Sequence, residues 1–380
     1  MPKVSSKKFF EEQSAHSRVK ADIVFKFVMT WLQVILSSQQ KYGKKVEAAY
    51  IDLFSGPGSY EDGSRSTPLL IVKAVLKKQL FSKVLKTFFN DKDAALIKSL
   101  QQEIGLLPDI EKLLTRPVYM SQTASIALID SFELSIDIPQ FFFLDQFGYA
   151  DIKPDLIRRI FINRKCDCAF FFRTSRVIAA ITNPKSEQAM QSLFGDKRLL
   201  NLRAAFASPC VDKEHALLEA LKSAMLEEGA VYFQVFPFRI HEERSSKHHL
   251  VYLGKHQLGL SIMKDIMDRS SSTHHGDVPV MGFSEVPAHP SLFEVDPIPD
   301  LQRELLKAFA GKSLSVGSVY TSHHPNGQFV LRNYQEALRR LEESGEVTAS
   351  PILGKRPKRY GKVTMGESVQ IRFPSESERK

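Results

Sequence analysis

Apolar positions along the chain follow two spacings, one typical of strands and one typical of helices. Short apolar runs predict strands near 48–54, 84–90, 115–119, 140–145, 166–173, 231–238 and 248–254. Helical spacing predicts a leading helix near 17–38 and further helices near 67–79, 92–104, 122–133, 153–163 and 212–228. Five alternating strand–helix units predict a parallel sheet with helices on both faces.

The last two predicted strands are connected differently from the others. The polar residues "IHEERSSKH" join them, and no helix fits in that connection. We therefore expect an antiparallel hairpin at the edge of the sheet. Seven strands that end in such a hairpin are the layout of the class I S-adenosylmethionine methyltransferases, whereas plain dinucleotide-binding folds lack the final antiparallel strand. The predicted fold class is a methyltransferase-like α/β Rossmann sheet.

A second pattern begins near residue 300. Three helical segments, "PDLQRELLKAFA", "SVGSVYTSHH" and "VLRNYQEALRRLEESG", precede two short strands, "EVTAS" and "SVQIRF". That order resembles a small winged helix-turn-helix, with "GKRPKRYGK" as the wing. The stretch before it is rich in Ser, His, Pro and Gly, which is typical of a linker. The predicted division is 1–268 for the Rossmann domain with an N-terminal helical extension, 269–299 for the linker and 300–380 for the winged helix.

Charge and cysteine content indicate the type of partner and the cellular compartment of the protein. The net charge is +9, and residues 300–380 hold 14 Lys and Arg against 9 Asp and Glu, so the basic excess is concentrated in the tail. A basic tail fits an acidic partner such as nucleic acid, although a solvated cationic face is the commoner reason for such charge. Three scattered cysteines argue against a disulfide framework. Without a predicted membrane span, signal peptide or metal-ligand cluster, we expect a cytoplasmic protein that holds no metal.

The stretch "YIDLFSGPG" carries the first candidate site. A strand, an acid at its end, a Gly-x-Gly turn and a following helix are how doubly wound sheets bind nucleotide-like ligands. Glycines let the backbone adopt positive φ and approach a ligand closely. The pattern resembles motif I of nucleic-acid methyltransferases, and its candidate cofactor residues are Asp52, Phe54, Gly56 and Gly58.

The second strand ends in "FFNDKD", which supplies another acid. Dinucleotide and S-adenosylmethionine sites both use an acid at this place to bind the ribose hydroxyls. The alternative role is capping the next helix, which Asp91 or Asp93 could fulfil. The two roles are compatible, and we assign the ribose to Asp91.

The fourth strand ends in "FFFLDQFGYAD" and supplies the candidate catalytic residues Asp145, Phe147 and Tyr149. Methyltransferases that act on exocyclic amines carry an acid or Asn, two prolines and an aromatic residue here. The acid accepts a hydrogen bond from the amine, and the aromatic ring stacks on the extruded base. In this chain Gln146 replaces the proline, and capping of the next helix is an equal alternative for Asp145. Methylation of a ring carbon is disfavoured because no cysteine follows this strand.

Two basic regions are candidate nucleic-acid contacts. In a winged helix the second helix of the turn motif enters the major groove, and the wing lies along phosphates. Helical spacing places Arg332, Gln335 and Arg339 on one face, opposite the core-facing Tyr334, Leu338 and Leu341. The wing adds Lys355, Arg356, Lys358, Arg359 and Lys362. Winged helices also serve protein contacts, so a docking role is the alternative.

Taken together, "EQSAHSRVKADIVFKF", "YIDLFSGPGSYEDGSRSTPLLI", "FFNDKD", "DQFGY" and "HHLVYLGKHQLGLSIMKDIM" resemble the three-Cys-motif partner protein family. The resemblance runs from about residue 8 to 268 and continues into the tail. It implies a methyltransferase-like fold, a bacterial source and a radical S-adenosylmethionine protein as partner. The cysteines that give the family its name belong to that partner.

The sequence therefore predicts an S-adenosylmethionine-dependent methyltransferase that acts on nucleic acid, on an exocyclic amine rather than a ring carbon, together with the radical S-adenosylmethionine protein. The alternative is a non-catalytic adaptor. In that role the methyltransferase-like domain docks the radical enzyme and the winged helix binds DNA or RNA.

Overall fold

The structure is a computed structural model, and it describes residues 15–41, 46–60, 62–146, 152–239, 248–275, 278–284, 296–359 and 362–378. Its backbone forms two compact units. The first comprises Met1–Ile266 with Phe283–Val286, and the second comprises Met267–Gly282 with Pro287–Lys380.

The first unit is built around one sheet with flanking helices. Its strands are β1 Ala48–Asp52, β2 Leu85–Asn90, β3 Val118–Met120, β4 Gln140–Leu144, β5 Cys166–Phe172, β6 Tyr232–Arg239, β7 His248–Gly254 and β10 Phe283–Ser284. Its helices are α1 Ala15–Lys41, α2 Thr67–Leu76, α3 Gln79–Ser82, α4 Ala94–Gly105, α5 Ile126–Ser131, α6 Pro154–Phe161, α7 Thr174–Ile181, α8 Glu187–Phe206, α9 Lys213–Glu227 and the start of α10 Gln257–Arg269. All seven predicted strands and all predicted helices of this part are present.

The strand order of the sheet is β10-β6-β7-β5-β4-β1-β2-β3. Strands β1 to β5 run parallel, and β7 lies antiparallel between β5 and β6. This is the class I methyltransferase order, as the sequence predicted. One correction concerns the count, because the sheet has eight strands rather than seven. The extra strand, β10, pairs with β6 at the edge and comes from the stretch predicted as linker.

The central strands are covered on both faces. Every residue of β1, β4 and β5 is buried, which explains their uninterrupted apolar sequences. Helix α1 covers one face, where Phe27 and Trp31 pack against Phe141 with ring centroids 5.0 and 6.3 Å apart. The leading helix is therefore part of the core of this unit.

Helices α7 and α8 were not predicted. They fill the long connection between β5 and α9, where Asn183 and Pro184 separate them and Gly195 interrupts α8 with a φ of 71°. Those breaker residues hide the helical spacing in the sequence. Burial of Leu193, Phe194 and Leu202 against the first unit's core stabilises the helices despite the interruption.

The second unit contains the winged helix. Its elements are β8 Thr273–His275, β9 Val278–Val280, α11 Ile298–Ala308, β11 Ser313–Ser315, α12 Val316–His323, α13 Leu331–Glu343, β12 Thr348–Ser350, β13 Lys358–Arg359, β14 Lys362–Val363 and β15 Gln370–Arg372. Strands β12 and β15 pair as predicted, and β11 adds a third strand to β15 that the sequence did not predict. The predicted linker also holds the β8–β9 hairpin.

The core of the second unit lies under α13, the second helix of the predicted turn motif. Tyr334, Leu338 and Leu341 of α13 are buried, as their helical spacing predicted. They pack with Leu301 and Leu305 of α11 in one apolar cluster. This burial fixes which face of α13 is left for contacts outside the unit.

Candidate active site

Asp52 lies at the carboxyl end of β1, under the glycine turn. Its carboxylate accepts hydrogen bonds from the backbone N–H of Phe54 and the hydroxyl of Tyr50, both at 3.1 Å. The side chain is buried, and this burial raises the pKa of Asp52 to about 8. The neighbouring carboxylates of Asp145 and Asp91 contribute to this rise, and the hydrogen bonds from Phe54 and Tyr50 oppose it. A cationic ligand group beside Asp52 would reverse this effect by stabilising the ionised form.

Asp91 connects the second strand to the glycine turn. Its Oδ2 accepts a hydrogen bond from the backbone N–H of Gly56 at 3.2 Å, and its Oδ1 accepts from the N–H of Asp93 at 3.0 Å. The helix-capping role belongs to Asp93, which accepts from Ala95 at the start of α4. Each carboxylate oxygen of Asp91 keeps a lone pair for a further donor.

The two glycines of the turn have different roles. Both have positive φ, 67° at Gly56 and 95° at Gly58. At Gly58 a Cβ would lie 3.2 Å from Cδ1 and 3.3 Å from Cα of Leu100 in α4. Gly58 thus allows close packing of the turn against α4, while the backbone N–H of Gly56 donates a hydrogen bond to Asp91.

Asn90 is a functional candidate that the sequence did not single out. Its side-chain N–H group donates to the carbonyls of Leu53 at 3.1 Å and Gln122 at 2.9 Å, and its side-chain oxygen accepts from the N–H of Gln122 at 3.0 Å. Asn90 is buried and joins the segments that follow β1 and β3. The signal in the sequence that could have identified Asn90 is a polar residue at the end of the apolar run "TFFN".

Asp145 follows β4, on the other side of β1 from Asp91. Its Oδ2 contacts the ammonium group of Lys20 from α1, and that ammonium lies 4.7 Å from the ring centroid of Phe171. Gln146 is 2% exposed, and its amide has no hydrogen-bond partner within the described residues. Phe147 and Tyr149 lie outside the described residues.

Basic groups surround the carboxyl end of β5. Arg173 is half-buried and Arg176 is exposed, and the two lie at the start of α7. Burial and the charge of Arg176 lower the pKa of Arg173, while Asp145 raises it. Burial, Arg173 and Lys20 are among the causes that lower the pKa of His248 to about 3, so this imidazole is neutral at pH 7. Arginine side chains at the end of a strand can bind phosphate, so both are candidates for such a contact.

In the second unit, the candidate face of α13 is largely occupied by ion pairs. Arg332 contacts Asp268, and Arg339 contacts Glu336 at 2.6 Å and also Glu343. The side chain of Arg339 is only 13% exposed. Gln335 is half-buried. Both arginines of this face form ion pairs within the chain.

The five predicted wing residues have different surroundings. Arg356 is buried with Glu342 of α13, with which it forms an ion pair, so the structure removes it from the proposed phosphate contacts. Lys355 and Lys358 are exposed. Arg359 and Lys362 pair through the backbones of β13 and β14.

Within the described ranges, no group of three or more His, Cys, Asp or Glu side chains is arranged to hold a metal ion. None of the helices in the described part of the chain has the length and apolarity needed to cross a bilayer.

Residues 287–352 match the family model described as "GMT-like wHTH domain". A search of curated proteins gave no match. Among solved structures, the DszA carbon methyltransferase shares 13% identity at a TM-score of 0.40, with 64% of this chain and 56% of that chain covered. The METTL16 MTase domain shares 10% identity at 0.31, with 60% and 66% covered.

A third solved structure, the methyltransferase domain of bacterial CtHen1-C, shares 12% identity at a TM-score of 0.31, with 60% of this chain and 98% of that chain covered. The chain thus spans less than two thirds of the length of the first two structures. Its own strand order and the matched residues 287–352 define its organisation. The protein joins an α/β unit with the class I methyltransferase topology to a C-terminal winged helix-turn-helix.

Proposed function

We propose that this protein binds S-adenosylmethionine in its first unit and transfers the methyl group to nucleic acid. The observation that carries the proposal is the hydrogen bond from Gly56 N–H to Asp91, beside the buried Asp52. Ligands of open α/β sheets bind outside the carboxyl ends of the strands, where the strand order reverses. Here that point lies between β1 and β4, and Asp52 and Asp145 flank it.

The residues present fit the methyl donor. Asp91 has free lone pairs for the two ribose hydroxyls, and its position is fixed by Gly56 and Asp93. Asp52 is a buried acid that a cationic ligand group would stabilise in its ionised form. S-adenosylmethionine, when bound, supplies an electrophilic methyl group on a positively charged sulfur. Phe54 and the turn glycines complete the proposed donor site.

The acceptor side is formed by the residues after β4. Asp52 pairs in the sheet with Phe143 of β4, two residues before Asp145, so the two acids lie at the carboxyl ends of neighbouring strands. Phe147 and Tyr149, from the same motif, are the further proposed catalytic residues. Lys355 and Lys358 of the wing, with Gln335 of α13, are proposed to supply affinity for the nucleic acid. The resemblance to the three-Cys-motif partner family supports the radical S-adenosylmethionine protein as a partner.

A titration combined with a transfer assay tests the proposal. We expect heat of binding with S-adenosylmethionine in calorimetry, and transfer of a labelled methyl group to nucleic acid that Asp145→Ala abolishes. Asp52→Ala should remove donor binding. If the wild-type protein binds no donor at millimolar concentration, the proposal is rejected.

A non-catalytic adaptor is the second candidate, and one observation favours it. The Oδ2 atom of Asp145 already contacts the Lys20 ammonium, so one of the two carboxylate oxygens is engaged within the chain before any amine binds. An adaptor would bind the radical enzyme and nucleic acid without transferring a methyl group. A stable complex with the partner that survives Asp52→Ala and Gly56→Val, with no methyl transfer by the wild-type protein, would support this role.

A further inference from the structure

The ion pair between Lys20 and Asp145 lies at the acceptor side of the proposed site. Lys20 comes from α1, and its side chain is 8% exposed against 25% for Asp145. The Lys20 ammonium lies between the Asp145 carboxylate and the ring face of Phe171, a residue of the neighbouring strand β5. A buried lysine that reaches the end of β4 is a built feature and not a solvated surface charge.

The Lys20–Asp145 pair fits a hydroxyl nucleophile better than an amine. An amine that attacks a methyl group must offer its only lone pair, so its remaining contacts are N–H donors that need acceptors. A lysine ammonium has three donors and no acceptor, so Lys20 offers such an amine nothing and competes for Asp145. A hydroxyl has one donor and two lone pairs. It can donate to Asp145, accept from Lys20 and still attack with its second lone pair.

We propose that Lys20 and Asp145 together bind and activate a hydroxyl group, and that the methyl acceptor is the ribose 2′-hydroxyl of RNA. This inference rests on the proposed methyltransferase function and names its substrate class. The acceptor oxygen forms a bond to the methyl carbon, the bond from that carbon to sulfur breaks, and the sulfonium becomes a neutral thioether. The hydroxyl proton passes to the Asp145 carboxylate, while the Lys20 ammonium stabilises the charge that develops on the oxygen.

The surroundings of the pair fit a ribose between two phosphates. Arg173 at the end of β5 interacts electrostatically with Asp145, and the exposed Arg176 follows one turn later. Cationic side chains position a nucleic-acid backbone, whereas the 2′-hydroxyl distinguishes RNA from DNA. Within a nucleic-acid strand, the internal sugar hydroxyl exists only in RNA. The acceptor chemistry therefore selects RNA over DNA.

Methyl transfer to total RNA and to genomic DNA tests the inference with the full-length protein. We expect label from S-adenosylmethionine in RNA and none in DNA. After alkaline hydrolysis the label should remain in dinucleotides, because a methylated 2′-hydroxyl cannot attack the adjacent phosphate. Label in mononucleotides, on a base amine, overturns the inference while leaving the proposed methyltransferase function intact.

Variants of α1 separate a direct role of Lys20 from a structural one. Lys20→Met should lower the single-turnover rate by about 100-fold or more, the effect of removing a group that stabilises developing charge, with donor affinity within about twofold of the wild type. Lys20→Arg should recover part of the rate. Lys26→Met, on the exposed part of the same helix, is the control. Equal rates in Lys20→Met and Lys26→Met contradict the inference, and a wild-type protein that binds no donor rejects the proposed function itself.

Discussion

The backbone N–H of Gly56 donates a hydrogen bond to the carboxylate of Asp91 across 3.2 Å. Gly56 follows β1 and Asp91 follows β2, so one hydrogen bond joins the ends of two neighbouring parallel strands. The turn and the acid form a single structural unit that precedes any ligand. As the proposed donor site, a preformed unit of this kind would lose little conformational entropy on binding.

Replacing Asp91 tests this unit directly. In Asp91→Ala we expect the dissociation constant of S-adenosylmethionine to rise about 10- to 100-fold, because hydrogen bonds to a charged group contribute about 1.5–3 kcal/mol. Calorimetry measures the change. Asp93→Ala is the matched control: it removes the cap of α4, costs about 1 kcal/mol of stability and should leave donor affinity unchanged. Equal losses of affinity in both variants would contradict a direct role of Asp91.

A substitution at Gly58 should destabilise the first unit. Gly58→Ala introduces a Cβ at 3.2–3.3 Å from Leu100 and keeps a φ of 95°, so we expect a loss of about 2–4 kcal/mol. Gly63→Ala is the control, because Gly63 has a φ of 77° and no atom within 4 Å of the added Cβ. It should cost only about 1–2 kcal/mol, the cost of a left-handed backbone conformation for a residue with a Cβ. Urea unfolding followed by the fluorescence of Trp31, the single tryptophan, reports on this unit.

Asp52 should make the stability of the donor-free protein depend on pH. Its pKa is about 8 when folded and near 4 when unfolded, so the folded state binds the extra proton between these values. The free energy of unfolding therefore falls as the pH rises from 4 to 8, by up to about 1.4 kcal/mol per pH unit. Asp52→Asn should remove this slope in urea unfolding at a series of pH values.

Asp167 provides the comparison for that experiment. Burial raises its pKa to about 6, so its contribution is lost between about pH 4 and pH 6. Asp167→Asn should flatten only this lower window. If Asp52→Asn leaves the slope between pH 6 and pH 8 unchanged, the Asp52 carboxyl is ionised in the folded protein at neutral pH.

The wing should show two separate effects. Replacing the exposed Lys355 and Lys358 by alanine should weaken binding to nucleic acid at unchanged stability, and each change should reduce the log–log salt slope by about 1. Fluorescence anisotropy at several salt concentrations measures this slope. An unchanged slope with lost partner binding would instead identify the wing as a protein-docking surface.

Arg356→Ala should act through folding. The variant leaves Glu342 buried without its partner, which costs about 3–5 kcal/mol. Thermal unfolding should show a lower melting temperature for the second unit, with the Trp31 signal of the first unit unchanged. A stable Arg356→Ala protein with weakened nucleic-acid binding would return Arg356 to the wing contacts.

The sheet, its central strands and the winged helix can be predicted from the residue pattern alone. The uninterrupted apolar runs of β4 and β5 have one stable solution, burial on both faces, and the polar connection before β7 leaves no helix for a parallel crossover. The acids at the ends of β1, β2 and β4 were predicted to lie near one another, because parallel strands bring their carboxyl ends to one edge of the sheet. Local spacing carries all of this information.

The pairing of charged side chains depends on how the helices and strands pack together. Lys20 and Asp145 are far apart in sequence, as are Arg356 and Glu342 or Arg332 and Asp268, and each pair forms because packing brings its two elements together. Neither periodicity nor composition encodes such a contact. The short strands β10 and β11 escaped prediction for the same reason, since two or three residues become a strand only when an edge is available to pair with.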